Sequence, residues 1–139
     1  MCLSNCHKIK NHDEITCYKV VKNKGIFFNR YFSVYENFRY KIGELYEEPM
    51  KLKYYWNHLN KIEDGFFHTF KNYDDAVKYF EQMSHFFRYG LKIIECVIPS
   101  DAYVYEGEYT VFSYPYEVLS FKSYASTKIF PKKILKIKK

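Results

Sequence analysis

The stretch Gly65–Pro99, GFFHTFKNYDDAVKYFEQMSHFFRYGLKIIECVIP, decides the fold. It divides into a short strand, an amphipathic helix expected over about 73–88, and a second strand that is apolar on both sides. Asn72 is placed to cap the helix, and Asp74 and Asp75 fall in its first turn, where carboxylates suit the positive end of the helix dipole. Ala76, Phe80, Met83 and Phe87 recur at helical spacing and form one stripe that must face a sheet. Arg88 and Gly90 mark the exit. In the strand that follows, Leu91, Ile93 and Val97 alternate with Ile94, Cys96 and Ile98, so both faces are covered, as in a central strand. Pro99 closes it.

Toward the N-terminus, Ile15–Lys22 and Ile26–Tyr35 alternate on either side of the turn sequence Asn23-Lys24-Gly25 and read as a hairpin. On its second strand Arg30 shares a face with Ile26, Phe28, Phe32 and Val34, and an arginine there requires a partner. That partner is either a carboxylate in a buried ion pair or an anion in a cleft, since the planar guanidinium suits phosphate. Phe38–Glu48 reads as a short extended piece. Met50–Ile62, with the single Trp56, reads as a short helix or a covering loop. Toward the C-terminus, Ala102–Phe112 reads as strand, turn at Gly107, and strand. Val118–Phe121, Tyr124–Phe130 and Ile134–Ile137 follow as short strands. The expectation is a single α+β domain over 1–139, with an antiparallel or mixed sheet of about seven short strands and one principal amphipathic helix. The ends, 1–13 and 132–139, are expected as polar or basic segments that fray.

A chain of 139 residues with 47% hydrophobic residues can bury a core without a metal or disulfide staple. The 16 Tyr and 13 Phe exceed what one small core hides, so many rings are expected at the surface. The net charge of +6 is uneven, with +4 over residues 1–60, −4 over 61–110 and +6 over 111–139. Five lysines among the last eight residues read as a solvated tail, so nucleic acid is less favoured as a partner than a small ligand. The polar N-terminus and the lack of a long apolar run lead to the expectation of a soluble cytoplasmic protein that makes no membrane contact. If phage-encoded, it would lie in the host cytoplasm. Cys2, Cys6, His7, His12 and Cys17 are of metal-ligating type, but they lack the paired spacing of a zinc site, so no metal is expected.

The order GFFHTF, DDAVKYF, KIIECVIP, YVYEGEY and SYASTKI resembles a group of small phage and bacterial proteins of uncharacterised activity. Their shared core reads Gly-Phe-His-x-Phe, Asp-Ala, Ile-Pro and Ala-Ser-x-Lys-Ile. The same order is similar, more distantly, to the ADP-ribosyltransferase-like fold, through Gly65–Phe70, Ala76–Tyr79, Lys92–Ile98 and Ile129–Pro131. That resemblance implies NAD as a substrate and a catalytic glutamate near Ser120, where the nearest carboxylate is Glu117. It also implies a His or Arg on the first strand, where CYKVVK has neither and Arg30 on the next strand is the substitute.

From the residues themselves, Glu106 and Glu108 share a face if their segment is a strand, an arrangement suited to acid–base work, whereas a hairpin tip would leave them in solvent. His68 stands where a loop end can reach a cleft, as a base, a donor or a hydrogen-bonded structural histidine. The isolated glycines exclude a P-loop or a dinucleotide fingerprint. Surplus aromatics with Arg30, Arg39, Lys19, Lys22 and Lys122, and with Ser123, Ser126 and Thr127, suit bases and phosphates. The leading expectation is non-catalytic binding of a small anionic nucleotide, without a cofactor, through Arg30, His68, Lys19, Tyr105, Ser123 and Ser126. A phage protein of this kind would withdraw a signalling nucleotide from host defence. The alternatives are an NAD-dependent ADP-ribosyltransferase using Glu106, Glu108 or Glu117, and an inhibitor that binds a host defence enzyme through its tyrosine-rich surface. An oligomer is compatible with all three.

Overall fold

The hairpin at the start of the chain and the two-sided strand late in it meet at the centre of one sheet. The computed structural model describes residues 3–24, 31–33, 39–47, 67–84, 90–113 and 117–137. Its strands are β1 (Ser4–Ile9), β2 (Ile15–Asn23), β3 (Tyr31–Ser33), β4 (Arg39–Tyr40), β5 (Tyr46–Glu47), β6 (Phe67–Phe70), β7 (Gly90–Ile98), β8 (Val104–Ser113), β9 (Glu117–Ser126) and β10 (Lys128–Leu135). One helix, α1 (Tyr73–Met83), joins β6 to β7. The ten strands form a single sheet in the order β1-β8-β9-β6-β2-β7-β10-β5, and β3 adds to β2 and carries β4. Every described pairing is antiparallel.

This corrects the expected α+β fold with about seven strands: the described residues form a mostly antiparallel β fold of ten strands with one helix of 11 residues. The extended piece Phe38–Glu48 supplies the two short strands β4 and β5, and two further segments differ from expectation. The polar N-terminal segment is hydrogen-bonded into the sheet as β1, an edge strand that buries Cys6, with Leu3 buried just before it, while leaving Asn5, His7 and Lys8 exposed. The late segments form two long strands divided at Thr127, inside the stretch expected as one strand from Tyr124 to Phe130: Ser123 is buried within β9 instead of breaking it, and β10 runs on through Pro131. The helix begins as expected after Asn72, with Asp74 and Asp75 in its first turn. Ala76, Tyr79 and Met83 are its buried residues and Phe80 is partly buried. Ser84 caps its C-terminal end, and Phe87 lies outside the described residues, as do Met50–Ile62 and Arg30.

The β9–β10 connection shapes the sheet. Only Thr127 separates the two strands in sequence, yet β6, β2 and β7 lie between them in the hydrogen-bonded order. Four strand spacings span about 19 Å, whereas one connecting residue reaches roughly 7 Å. The sheet must therefore bend until the end of β9 meets the start of β10. Tyr124, just before the corner, and Ile129, just after it, belong to one buried cluster with Cys17, Val21, Phe67, Ile94, Cys96, Ile98 and Val104. That cluster fills the inside of the bend, here called the inner face. The other face holds α1 over Val20, Phe70, Leu91, Ile93, Phe121 and Ala125. At its centre Phe70 lies 5.0 Å from the Tyr79 ring and 5.6 Å from Phe121, centroid to centroid. Among the described tyrosines only Tyr103 is exposed, so the aromatic surplus there is mostly spent inside.

Cys17 and Cys96 face each other across β2 and β7, both free and both buried. Burial pushes the Cys17 thiol from its ordinary 9.0 up to about 12, against smaller opposing effects of the Thr69 hydroxyl and the Lys19 ammonium. Cys96 is raised too, also chiefly by burial. The stabilising contribution is fully present below pH 9 and is lost as pH rises toward 12, because the unfolded chain gives up the thiol proton first. The expected slope is about 1.4 kcal/mol per pH unit for each proton. Urea midpoints should fall steadily above pH 9, with a shallower fall in Cys17→Ala; an equal fall in that variant would show that other groups drive it.

Candidate functional site

Alternation along each strand assigns the polar side chains to one face or the other. The register then carries a row of them across the inner face. His7 of β1 is opposite Glu106 of β8, Glu106 is opposite Tyr124 of β9, and Tyr124 is opposite Thr69 of β6. Because Tyr18 pairs with Phe70, Lys19 of β2 stands beside Thr69, and Lys19 in turn faces Ile94 of β7.

Lys71, which follows β6, donates from Nζ to Glu106 Oε1 at 2.6 Å. His7 Nε2 lies 3.5 Å from the second carboxylate oxygen. The Lys71 ammonium is held above its ordinary pKa mainly by that bond to Glu106. Between these groups and β2 sits the buried Tyr124, whose phenol is raised by burial first, with Lys71 opposing and Glu106 adding. At the other end of the row Lys19 donates from Nζ to the His68 carbonyl at 2.7 Å and lies 5.4 Å from the centroid of the Tyr40 ring. Tyr40 packs on Phe67, which brings the β3–β4 hairpin over this part of the sheet.

The residues expected to bind a ligand do not converge. Lys19, Glu106, Glu108 and Ser126 lie on the inner face, whereas His68, Tyr105 and Ser123 lie on the helix face by strand alternation. Ser123 donates to the Phe121 carbonyl and Ser126 to the Lys128 carbonyl, so both hydroxyls serve the backbone near them. Arg30 is outside the described residues, and Glu117 opens β9 at the end opposite the Thr127 corner.

Gly107 is not at a turn. It sits within β8, so Glu106 and Glu108 do share a face, but their surroundings differ: Glu106 is 20% exposed and paired, whereas Glu108 is exposed with Asn5 Nδ2 at 3.5 Å. The cysteines and histidines of the first segment are dispersed. Cys6 is buried on the helix face, Cys17 is buried on the inner face, and the His12 ring nitrogens lie 2.7 and 2.9 Å from the carbonyls of Asp13 and Ala102. Among the described residues no three His, Cys, Asp or Glu side chains form a metal-holding group. None of the described helices is long and apolar enough to cross a membrane.

Sequence reasoning missed Lys71, Tyr124 and Thr69 as members of the row. Their signal is cross-strand register, which no local pattern states. No family model, no curated protein and no solved structure matches this chain.

Proposed function

We propose that this chain binds a small anionic nucleotide on the inner face and holds it without turning it over. The observation that carries the reading is the row itself, in which two lysines, Lys19 and Lys71, flank the rings of Tyr40 and Tyr124 on one face of the sheet. Ammonium groups meet phosphate, and the buried rings of Tyr40 and Tyr124 form the apolar floor between the two lysines. Turnover is disfavoured by how the carboxylates are used. Glu106 is engaged through one oxygen by Lys71 and lies 3.5 Å from His7 through the other, so both oxygens already have protein neighbours. Withdrawal of a signalling nucleotide from a defence pathway is the cellular role that fits binding without chemistry.

The test is a calorimetric and thermal-shift panel of NAD, ADP-ribose and cyclic nucleotides. At least one should bind with a sub-millimolar Kd and raise Tm, since a ligand that binds only the folded state stabilises it. Lys19→Ala and Lys71→Ala should each weaken that binding by about tenfold, the effect of losing one charge-assisted hydrogen bond. NAD should release no nicotinamide. Failure of every compound to bind overturns the reading, and nicotinamide release overturns its non-catalytic half.

A further inference from the structure

On the helix-side face of the sheet, the first turn of α1 stands beside a carboxylate that the fold leaves short of donors. Strand pairing puts Tyr18 of β2 opposite Glu95 of β7, and Glu95 opposite Lys133 of β10. Tyr18 packs on the helix-side cluster, and alternation directs Glu95 and Lys133 to the same face. Tyr73, which opens α1, meets Tyr18 with the two ring centroids 5.6 Å apart and the planes inclined at 65°. The two rings form a corner, with Glu95 next to it on the sheet. The Tyr18 phenol is held above its ordinary pKa by burial first and then by the Glu95 charge, as a carboxylate beside the ring requires.

Glu95 is 18% exposed, and a carboxylate so far out of water needs hydrogen-bond donors. Among the described residues none donates to it. Its ion contact is Lys133, whose Nζ lies 3.9 Å from Oε2, beyond hydrogen-bond length. The Lys133 side chain is 59% exposed, so it stands at the rim and is free to turn into water. The corner is framed by β2, β7, β10 and the start of α1, all of them described, with Thr16 and Lys133 exposed at its edge.

The group that completes such a corner is a cation with its own N–H donors. An ammonium hydrogen-bonds the carboxylate, and aromatic rings attract cationic groups and the methylenes next to them. Phosphate and carboxylate ligands are repelled by Glu95. We propose that Glu95, Tyr18 and Tyr73 form a binding site for a small alkylammonium ion, with the Lys133 ammonium as the group it displaces. The site lies on the opposite face from the polar row and does not depend on the nucleotide reading.

NMR titration of the full chain with n-butylammonium chloride tests the site, with n-butanol as the neutral comparison. The ammonium should shift the Tyr18 and Tyr73 ring signals saturably in the millimolar range, and butanol should not. Glu95→Gln keeps the shape and removes the charge, so it should weaken binding by about tenfold, the effect of losing one charge-assisted hydrogen bond. Tyr73→Leu should weaken it several-fold. Lys133→Gln should tighten it, because a competing cation is gone. The last two variants test the site without altering the carboxylate. Absence of saturable shifts at both rings overturns the proposal, as does unchanged affinity in Glu95→Gln at the unmutated Tm. Weaker binding in Lys133→Gln overturns the displacement, and equal binding of n-butanol overturns the ligand class.

Discussion

Replacing Phe70 by alanine is expected to lower the unfolding free energy by about 3–5 kcal/mol, the usual cost of removing a buried phenyl ring. The expectation comes from where the ring sits. Phe70 is 2% exposed and is in ring contact with Tyr79 on α1, Tyr109 on β8 and Phe121 on β9. It joins the helix to the sheet. Alanine there leaves a hole lined by three rings that touch each other as well, with Tyr79 5.9 Å from Tyr109 and 6.3 Å from Phe121, so collapse to fill it is limited. Phe70→Leu retains most of the volume and should cost under about 1.5 kcal/mol. Urea midpoints for the two variants check both values. Near-equal losses would show that the ring contacts matter more than the volume they occupy.

Gly107→Ala is expected to cost about 1–3 kcal/mol, the range for forcing atoms into a filled space, although the added group is a single methyl. A Cβ at position 107 would stand 2.7 Å from Cys6 Sγ and 2.8 Å from the Ser4 carbonyl oxygen. The sulfur can swing away, but the carbonyl belongs to the backbone of β1 and cannot. The close approach has a cause in β1. Between Ser4 and His7 the register slips, and Asn5 has φ 53°, so the extra residue bulges over Gly107. Asparagine tolerates this left-handed conformation better than most residues. Alanine should therefore loosen β1 before the rest of the sheet. Hydrogen exchange should rise first in Ser4–Ile9 and its partners on β8, and uniform loss of protection across the sheet would contradict that order.

The same glycine shows where local reading stops. YEGEY looks like a hairpin tip because Gly between two acidic residues is common in turns. The bulge that demands the glycine lies about 100 residues away in sequence, so nothing near Gly107 announces it. Conversely, the two-sided pattern of Leu91–Ile98 is local and was legible: β7 buries Leu91 and Ile93 on the helix face, and Ile94, Cys96 and Ile98 on the inner face. The start of α1 was legible for the same reason, since first-turn charge is a property of neighbours in the chain, although the Asn72 side chain makes no cap hydrogen bond and donates to the Asp75 carboxylate instead. The N-terminal strand was not. An edge strand needs only one apolar side, and the bulge at Asn5 breaks even that alternation.

The candidate site divides in the same way. Lys19, Glu106 and Ser126 were nameable from residue type, but Lys71 acquires a role only because β6 and β8 flank β9, which brings its ammonium to Glu106. Tyr18, Glu95 and Lys133 are far apart in the sequence and become one row only through the pairing of three strands. The amino-acid sequence by itself determined the alternation of the central strands, the start of the helix and the chemical types available to a ligand. Tertiary structure alone decided the strand count, the bend at Thr127 and which polar groups stand together. Periodicity sets which way a side chain points along its own strand, whereas its neighbours are set by register with strands distant in the chain, where a shift of one residue turns every side chain to the other face.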